Sequence, residues 1–238
     1  MKYIDHIAKI SACENAANLT DALAFVSERQ GFPSVLFGLK ASKAARYDAA
    51  WVATNYAPAW RERYEKSALH LVDTTVAHAL HRLRPLVWDQ RTFKTGAESQ
   101  FYEEAAGFGL KSGITFPIHG PKGEFGMLSL ATDQTFAWDE MQAAVASLSW
   151  MRDYVFEISS NFVAGRVQQL TQSPLTPRES ECLKWLTTGK TSWEIAKILI
   201  CSEATINFHI SNIIKKLGVY SRQQAVVKSL KEGWISFE

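Results

Sequence analysis

From Thr176 onward, apolar residues recur three and four positions apart, each run opens on a hydroxyl residue, and all but the second close near a glycine. Thr176-Pro177-Arg178-Glu179 places a hydroxyl at the N-cap, proline at the first helical position and glutamate three residues after the cap, which is a capping box. A helix to about Thr188 follows, with Gly189 as its left-handed stop. Thr191-Ser192-Trp193-Glu194 repeats the box and opens a second helix over 192–199, with Ile195, Ala196, Ile198 and Leu199 as its apolar side. Ile200 and Cys201 make a turn; Ser202 caps a third helix, whose Ile206, Ile210, Ile213 and Leu217 face inward and which Gly218 ends. Ser221, with Gln224 three residues on, starts a fourth helix over 222–231, closed by Gly233.

Upstream the pattern switches between the helical and strand periods, which predicts an α+β domain rather than a helical one. Helices are expected over 19–30, 58–66, 74–83, 98–108 and 138–162, and strands over 34–39, 50–54, 113–119 and 125–131. The last two strands flank Gly120-Pro121-Lys122-Gly123 and should form an antiparallel hairpin. A change to polar composition at Gln168, Gln169, Thr171, Gln172, Ser173 and Pro174 marks a linker. The expected division is a domain over 1–163, a linker over 164–175 and a second domain over 176–238.

Charge and cysteine usage narrow the function classes. The net charge of +2 over 238 residues is too small for non-specific polyanion binding by the whole chain. The cations concentrate locally, at Arg178, Lys184, Lys190, Lys197, Lys215, Lys216, Arg222, Lys228 and Lys231, so phosphate affinity is expected there. Cys13, Cys182 and Cys201 lack metal-type spacing and fit a reducing compartment. Charges interrupt the N-terminal MKYIDHIAKI, and no segment reaches the ~20 apolar residues of a membrane span. A cytoplasmic chain without a membrane partner is expected. His78 and His81 stand three apart with nothing nearby to complete a metal site, and no nucleophile elbow or phosphate-binding glycine loop occurs. No catalytic residue, metal or cofactor is therefore assigned.

Two short helices joined by a tight turn, the second polar on its outer face, fit a helix-turn-helix that lays its second helix in a major groove of double-stranded DNA. Asparagine pairs with adenine, and lysine and hydroxyl groups suit phosphates. The segments LTPRE, GKTSWEIA and Ser202 to Leu217 resemble the output domain of LuxR-type transcription factors, with Glu179, Leu183, Gly189, Thr191, Glu194, Ile195, Ala196, Ser202, Thr205, His209 and Leu217 at matching positions. The resemblance implies an all-α four-helix domain and a structural, hydrogen-bonding role for His209. The expected DNA-contacting residues are Lys190, Thr191, Thr205, Asn207, Phe208, Ser211, Asn212 and Lys215, with Lys216 at the edge of the outer face. The same output domain also ends two-component response regulators, so the input must be read from the remainder of the chain.

Between Asn55 and Trp88, aromatic and polar residues interleave: Tyr56, Trp60, Arg61, Tyr64, Asp73, Thr75 and Trp88. Trp60 and Tyr64 share one helix face, and such a set suits an apolar pocket with a few directional hydrogen bonds. The order NYxxxWRxxY, VD, W, then FYEEAxxxGLxxGxTxPxHGxxGExGxLSL resembles the acyl-homoserine-lactone-binding domain of LuxR-type quorum-sensing receptors. That resemblance implies an α-β-α sandwich around an antiparallel sheet, and it implies roles. Trp60 would donate its indole N–H to the lactone carbonyl, Asp73 would accept the ligand amide N–H, Tyr56 and Ser129 would hold the amide carbonyl, and Trp88 would pack on the ring. Leu36, Gly38, Val76, Leu110 and Met127 would flank the acyl chain, beside Arg61, Tyr64 and Thr75. The implied effector is an N-acyl homoserine lactone, 3-oxo with a medium or long chain; the implied partners are a second copy of the chain, an inverted-repeat operator and RNA polymerase. Three positions depart from the family: Thr74 replaces a usual proline, Leu69 a common aromatic residue, and Met127 a residue that is small in one family member. The rival input is a phosphorylated receiver domain. It needs an acidic pair after a first parallel strand, whereas SVLFGL ends in lysine.

Overall fold

The computed structural model describes residues 2–43, 45–121, 123–170, 173–232 and 234–235. They form two compact units, one of Met1–Lys43 with Tyr47–Ala164, the other built on Gly165–Glu238. The first unit runs α1 (Lys2–Ser11), α2 (Ala16–Glu28), β1 (Ser34–Lys40), β2 (Trp51–Thr54), α3 (Pro58–Lys66), α4 (Thr74–His81), β3 (Leu86–Trp88), α5 (Gly96–Ala106), β4 (Ser112–His119), β5 (Phe125–Thr132) and α6 (Trp138–Leu170). Its sheet has the order β2-β1-β5-β4-β3 with every pair antiparallel. This topology contradicts the receiver reading, which requires parallel strands joined by helices.

Strand alternation splits the sheet into two faces. Along β1, Val35, Phe37 and Leu39 are fully buried on one side, while Leu36 and Gly38 are half-buried on the other. The register carries the division into β5: Leu36 faces Ser129 and Gly38 faces Met127. Helix α2 packs along β1 and β2, and α4 along β4 and β5. A fringe of aromatic residues from α3, β3 and α5 gathers around Trp60 and Trp88 as a separate cluster, and this is where the candidate site lies.

Several boundaries differ from the sequence reading for identifiable reasons. Helix α1 and the three-residue strand β3 were not expected; α1 does carry helical periodicity, at Ile4, Ile7 and Ala8, whereas β3 is too short for a period to register. Helix α6 continues to Leu170 instead of stopping at Phe162, into the stretch read as a linker, because glutamine propagates a helix nearly as well as leucine. Lys122 of the hairpin turn and Gly233 of the last stop lie outside the described residues. Among the described residues, no helix is long and apolar enough to cross a membrane.

The second unit contains α7 (Pro177–Thr187), α8 (Ser192–Ile198), α9 (Glu203–Leu217) and α10 (Arg222–Lys231). Both predicted capping boxes are formed: Thr176 Oγ1 accepts from the Glu179 N–H while Glu179 Oε2 accepts from the Thr176 N–H, and Thr191 with Glu194 does the same. At the fourth helix Ser221 accepts from the Gln224 N–H, but the Gln224 side chain returns to the Tyr220 N–H instead of the cap residue. Gly189 and Gly218 adopt φ of 77° and 61°, as left-handed stops require. Ile206, Ile210, Ile213 and Leu217 of α9 are buried against Leu183, Ile195 and Ala196. Ile198, expected on the apolar side of α8, is instead 41% exposed, because the helix is too short for four apolar positions to share one face.

Lys216, expected at the edge of the outer face, is exposed there, and its Nζ donates to the buried Glu179 Oε2 at 2.7 Å and ties α9 to the start of α7. Burial alone would push the Glu179 carboxyl up, but Lys216 and the Thr176 cap outweigh it and hold it below the usual carboxylate range. A folded-state value below the unfolded one stabilises above the ordinary glutamate range near 4.3, and the contribution is lost as pH falls through the lowered value. Glu179→Gln should therefore flatten the acid side of the stability curve of this unit, and Glu179→Ala should cost about 2 kcal/mol near neutral pH. Urea unfolding followed at neutral and acid pH checks both.

Candidate functional site

Helix α3 begins at Pro58, whose fixed φ suits a first helical position, and this puts Trp60 and Tyr64 one turn apart on the same buried face. Asp73 then caps α4: its Oδ1 accepts from the Thr75 N–H at 2.8 Å and from Thr75 Oγ1 at 2.7 Å, and its Oδ2 accepts from Tyr64 Oη at 2.9 Å. Burial raises the Asp73 carboxyl above its ordinary range, opposed by Thr75 through its hydroxyl and N–H, by the Tyr64 hydroxyl and by the Val76 N–H. Burial and the Asp73 charge push the Tyr64 phenol well up, which keeps it a donor. An ionised carboxylate offers about four lone-pair sites; Oδ1 takes both Thr75 donors and Oδ2 the Tyr64 hydroxyl, with the Val76 N–H also acting on the carboxyl.

Across the cavity, Trp88 lies flat on the sheet because Gly113 has no side chain there. A Cβ on Gly113 would stand 2.5 Å from the Trp88 ring and 2.3 Å from the Leu130 carbonyl oxygen. The Trp88 indole N–H donates to Thr115 Oγ1 at 3.1 Å, and Thr115 Oγ1 lies 2.8 Å from Ser129 Oγ, its cross-strand partner. Thr115 has a second lone pair and a proton, so either hydroxyl can donate to the other; when Thr115 donates, the Ser129 hydroxyl proton is available to the cavity. Two more donors face this space. Among the described residues neither the Trp60 indole N–H nor the Tyr56 hydroxyl has a protein acceptor, and burial pushes the Tyr56 phenol up so that it keeps its proton.

The structure brings Leu36, Tyr56, Trp60, Tyr64, Asp73, Thr75, Trp88, Leu110, Met127 and Ser129 around one cavity. Three expected residues do not line it. Arg61 pairs with Glu65 one turn on, Val76 is buried in α4, and Gly38 sits in β1 opposite Met127. Phe93, Phe101, Tyr102 and Ala105 complete the wall, and Thr115 stands behind Trp88 and Ser129; the sequence reading had named none of these five. Helical spacing in FYEEA was the available signal for Phe101 and Ala105, four apart on α5. The cavity itself is narrow, about 50 Å³, against roughly 300–1,000 Å³ for a typical small-molecule site. Any drug-sized occupant has to spread these side chains, and the thioether of Met127 is the most adaptable of them.

The three departures now have positions. Thr74 opens α4, which starts there without proline because Asp73 supplies the cap. Leu69 belongs to a short 3-10 turn, Leu69–Leu71, and packs on the aromatic cluster. Met127 lines the cavity.

On α9, Thr205, Asn207, Phe208, Ser211 and Lys215 are exposed and Asn212 is half-buried. Phe208 is 63% exposed, a large apolar ring on an otherwise polar face. Lys190 and Thr191 sit at the entry of α8, where Lys190 pairs with Glu194 at 3.4 Å and the Thr191 hydroxyl is engaged in the capping box. His209 does not have the expected hydrogen bond among the described residues; its ring contact is an edge approach to Phe208 at 5.9 Å. Among the described residues no group of three or more His, Cys, Asp or Glu could hold a metal ion, and His78 Nε2 lies 2.9 Å from the Arg84 carbonyl oxygen.

Comparison with known proteins agrees with both halves. Residues 15–158 match the autoinducer binding domain family, and residues 173–229 match the family of bacterial regulatory proteins, luxR family. The chain is 32% identical over 236 residues to the transcriptional activator protein VanR of Vibrio anguillarum, covering 99% of this chain and 97% of VanR. It is 29% identical over 233 residues to the transcriptional activator protein LuxR of Aliivibrio fischeri, covering 97% and 93%. In fold it is similar to Escherichia coli SdiA, with a TM-score of 0.67 at 23% identity over 98% of each chain. VanR and LuxR are transcriptional activators, not enzymes. An antiparallel sheet bearing a polar-tipped aromatic cavity, followed by a capped helix-turn-helix and matched along nearly its whole length to such activators, makes this chain a member of the LuxR family of quorum-sensing, autoinducer-binding transcription regulators.

Proposed function

We propose that the cavity takes an N-acyl homoserine lactone and that the chain, as a homodimer, then binds an inverted-repeat promoter site in the cytoplasm and recruits RNA polymerase to activate transcription. The observation that carries this reading is the donor and acceptor inventory of the cavity. One buried carboxylate, Asp73, shares the cavity with two donors that have no protein acceptor among the described residues, Trp60 Nε1 and Tyr56 Oη, and with a hydroxyl, Ser129. An N-acyl homoserine lactone presents the complement: one amide N–H and two carbonyls. In this reading Asp73 accepts the amide N–H, Trp60 donates to the lactone carbonyl, Tyr56 and Ser129 hold the amide carbonyl, and Trp88 backs the ring. The acyl chain runs along Leu36, Leu110 and Met127, with the space beside Gly38 beyond. A Cβ placed on Gly38 would meet only the Leu36 side chain, at 3.9 Å, so the sheet is uncrowded at that position.

Dimerisation follows from the reach of one recognition helix, which reads only a few base pairs; two copies related by a two-fold axis match half-sites about one helical turn apart. Asn207 and Ser211 are placed for base edges, Lys215 for a phosphate, and the exposed Phe208 for a thymine methyl.

Asp73→Asn replaces an acceptor by a group that also donates, and should raise the lactone concentration for half-maximal reporter activity at least about tenfold. Trp60→Phe keeps the ring but removes the N–H, and should raise it roughly three- to tenfold. Unchanged dose responses in both variants would refute the polar roles. On DNA, Asn207→Ala should change sequence preference, whereas Lys215→Ala should weaken all sequences alike and lower the salt slope by about one. Binding measured across salt concentrations on matched and mutated operators separates the two.

A further inference from the structure

His70 lies outside the cavity, yet its ring stacks on Tyr47, with centroids 4.1 Å apart and planes 8° from parallel. Tyr47 reaches on to Tyr64: the rings lie 6.2 Å apart, and the Tyr47 hydroxyl donates to Tyr64 Oη over a long 3.4 Å. Tyr64 Oη in turn donates to Asp73 Oδ2. The Tyr47–Tyr64 hydrogen bond is too long to hold Tyr47 by itself, so the parallel stack on His70 is the stronger restraint.

A second connection runs through the backbone. His70 is carried by the 3-10 turn Leu69–Leu71, which is entered through Ala68 at φ 49°, a left-handed conformation unfavourable to a residue with a side chain. The Asp73 N–H donates to the Leu69 carbonyl at 3.0 Å, so the turn that presents His70 also sets the origin of Asp73. A strained backbone of this kind persists only where its surroundings over-determine it, and the Tyr47 stack is the aromatic contact made by that turn.

We propose that His70 is a positioning residue for the ligand amide: stacked on Tyr47, it fixes Asp73 Oδ2 through the packing of the Tyr47 ring on the Tyr64 ring on one side and through the Leu69–Leu71 turn on the other. The stack also provides an aromatic cover beside Leu69. This inference rests on the reading of Asp73 as the acceptor of an acyl homoserine lactone, and concerns how long that ligand is held.

The test uses the full-length chain purified from cells supplied with N-octanoyl homoserine lactone, with loss of the lactone followed after transfer to lactone-free buffer. His70→Ala should release it roughly three- to tenfold faster than the unmodified chain, and His70→Phe, which restores a flat ring, should return the rate to near the original. Tyr47→Phe keeps the stack and loses only the long hydrogen bond, so its release should stay within about twofold of the original. Equal release rates for the original chain and His70→Ala overturn the inference while leaving the lactone reading intact. So does a faster rate in His70→Ala that His70→Phe does not correct. An original chain that retains no lactone at all refutes the lactone reading and this inference with it. Should His70→Ala not fold, the His70→Phe and His70→Leu pair decides: the flat ring must hold the lactone longer than the branched chain.

Discussion

The arrangement depends on one buried carboxylate. Asp73 starts α4, anchors Tyr64 from the neighbouring helix and lines the cavity. A charge out of water is tolerated only where it is hydrogen-bonded, and the Thr75 and Tyr64 donors meet that requirement. In the proposed reading, a ligand N–H at the right place adds one more donor to this carboxylate, and a ligand without it forgoes that hydrogen bond.

Glu179 shows the same chemistry with a different partner. It too belongs to a helix start and is buried, but its Oε2 accepts from both the Thr176 N–H and the Lys216 ammonium, so a cation of the chain meets its charge. Glu179 thereby ties two helices of its own unit together, whereas Asp73 is met by the hydroxyls of Thr75 and Tyr64 and a backbone N–H and lines a cavity. The Trp88–Thr115–Ser129 chain continues this polar lining across the sheet.

Much of this was legible in the sequence where the determinants are local. Capping boxes, glycine stops and proline at N1 act within four residues, so α7, α8 and α9 were placed closely, and so was α3. What depended on distant partners was not legible. Lys216 finds Glu179 across 37 positions, and a charge on a helix gives no sign of which neighbour lies beneath it. Phe93 and Tyr102 entered the cavity wall because Phe101 of α5 packs on Trp60 and Tyr64 of α3 while Phe93 packs on Phe101 and Tyr102, which no periodicity announces. Strand β3 carries only three residues, yet it delivers Trp88 to a sheet position that Gly113 keeps open. His70, whose spacing says nothing, became informative only once its ring was seen flat against Tyr47.

The central claim, that a lactone completes the polar set around Asp73, is tested most directly by mass spectrometry of the small molecules released when the folded full-length chain is denatured after purification from cells supplied with a mixture of N-acyl homoserine lactones. The account predicts one lactone species, or a narrow range of acyl lengths, recovered at about one per chain and strongly reduced in Asp73→Asn. Recovery of no lactone, or equal recovery from the Asp73→Asn chain, would contradict it.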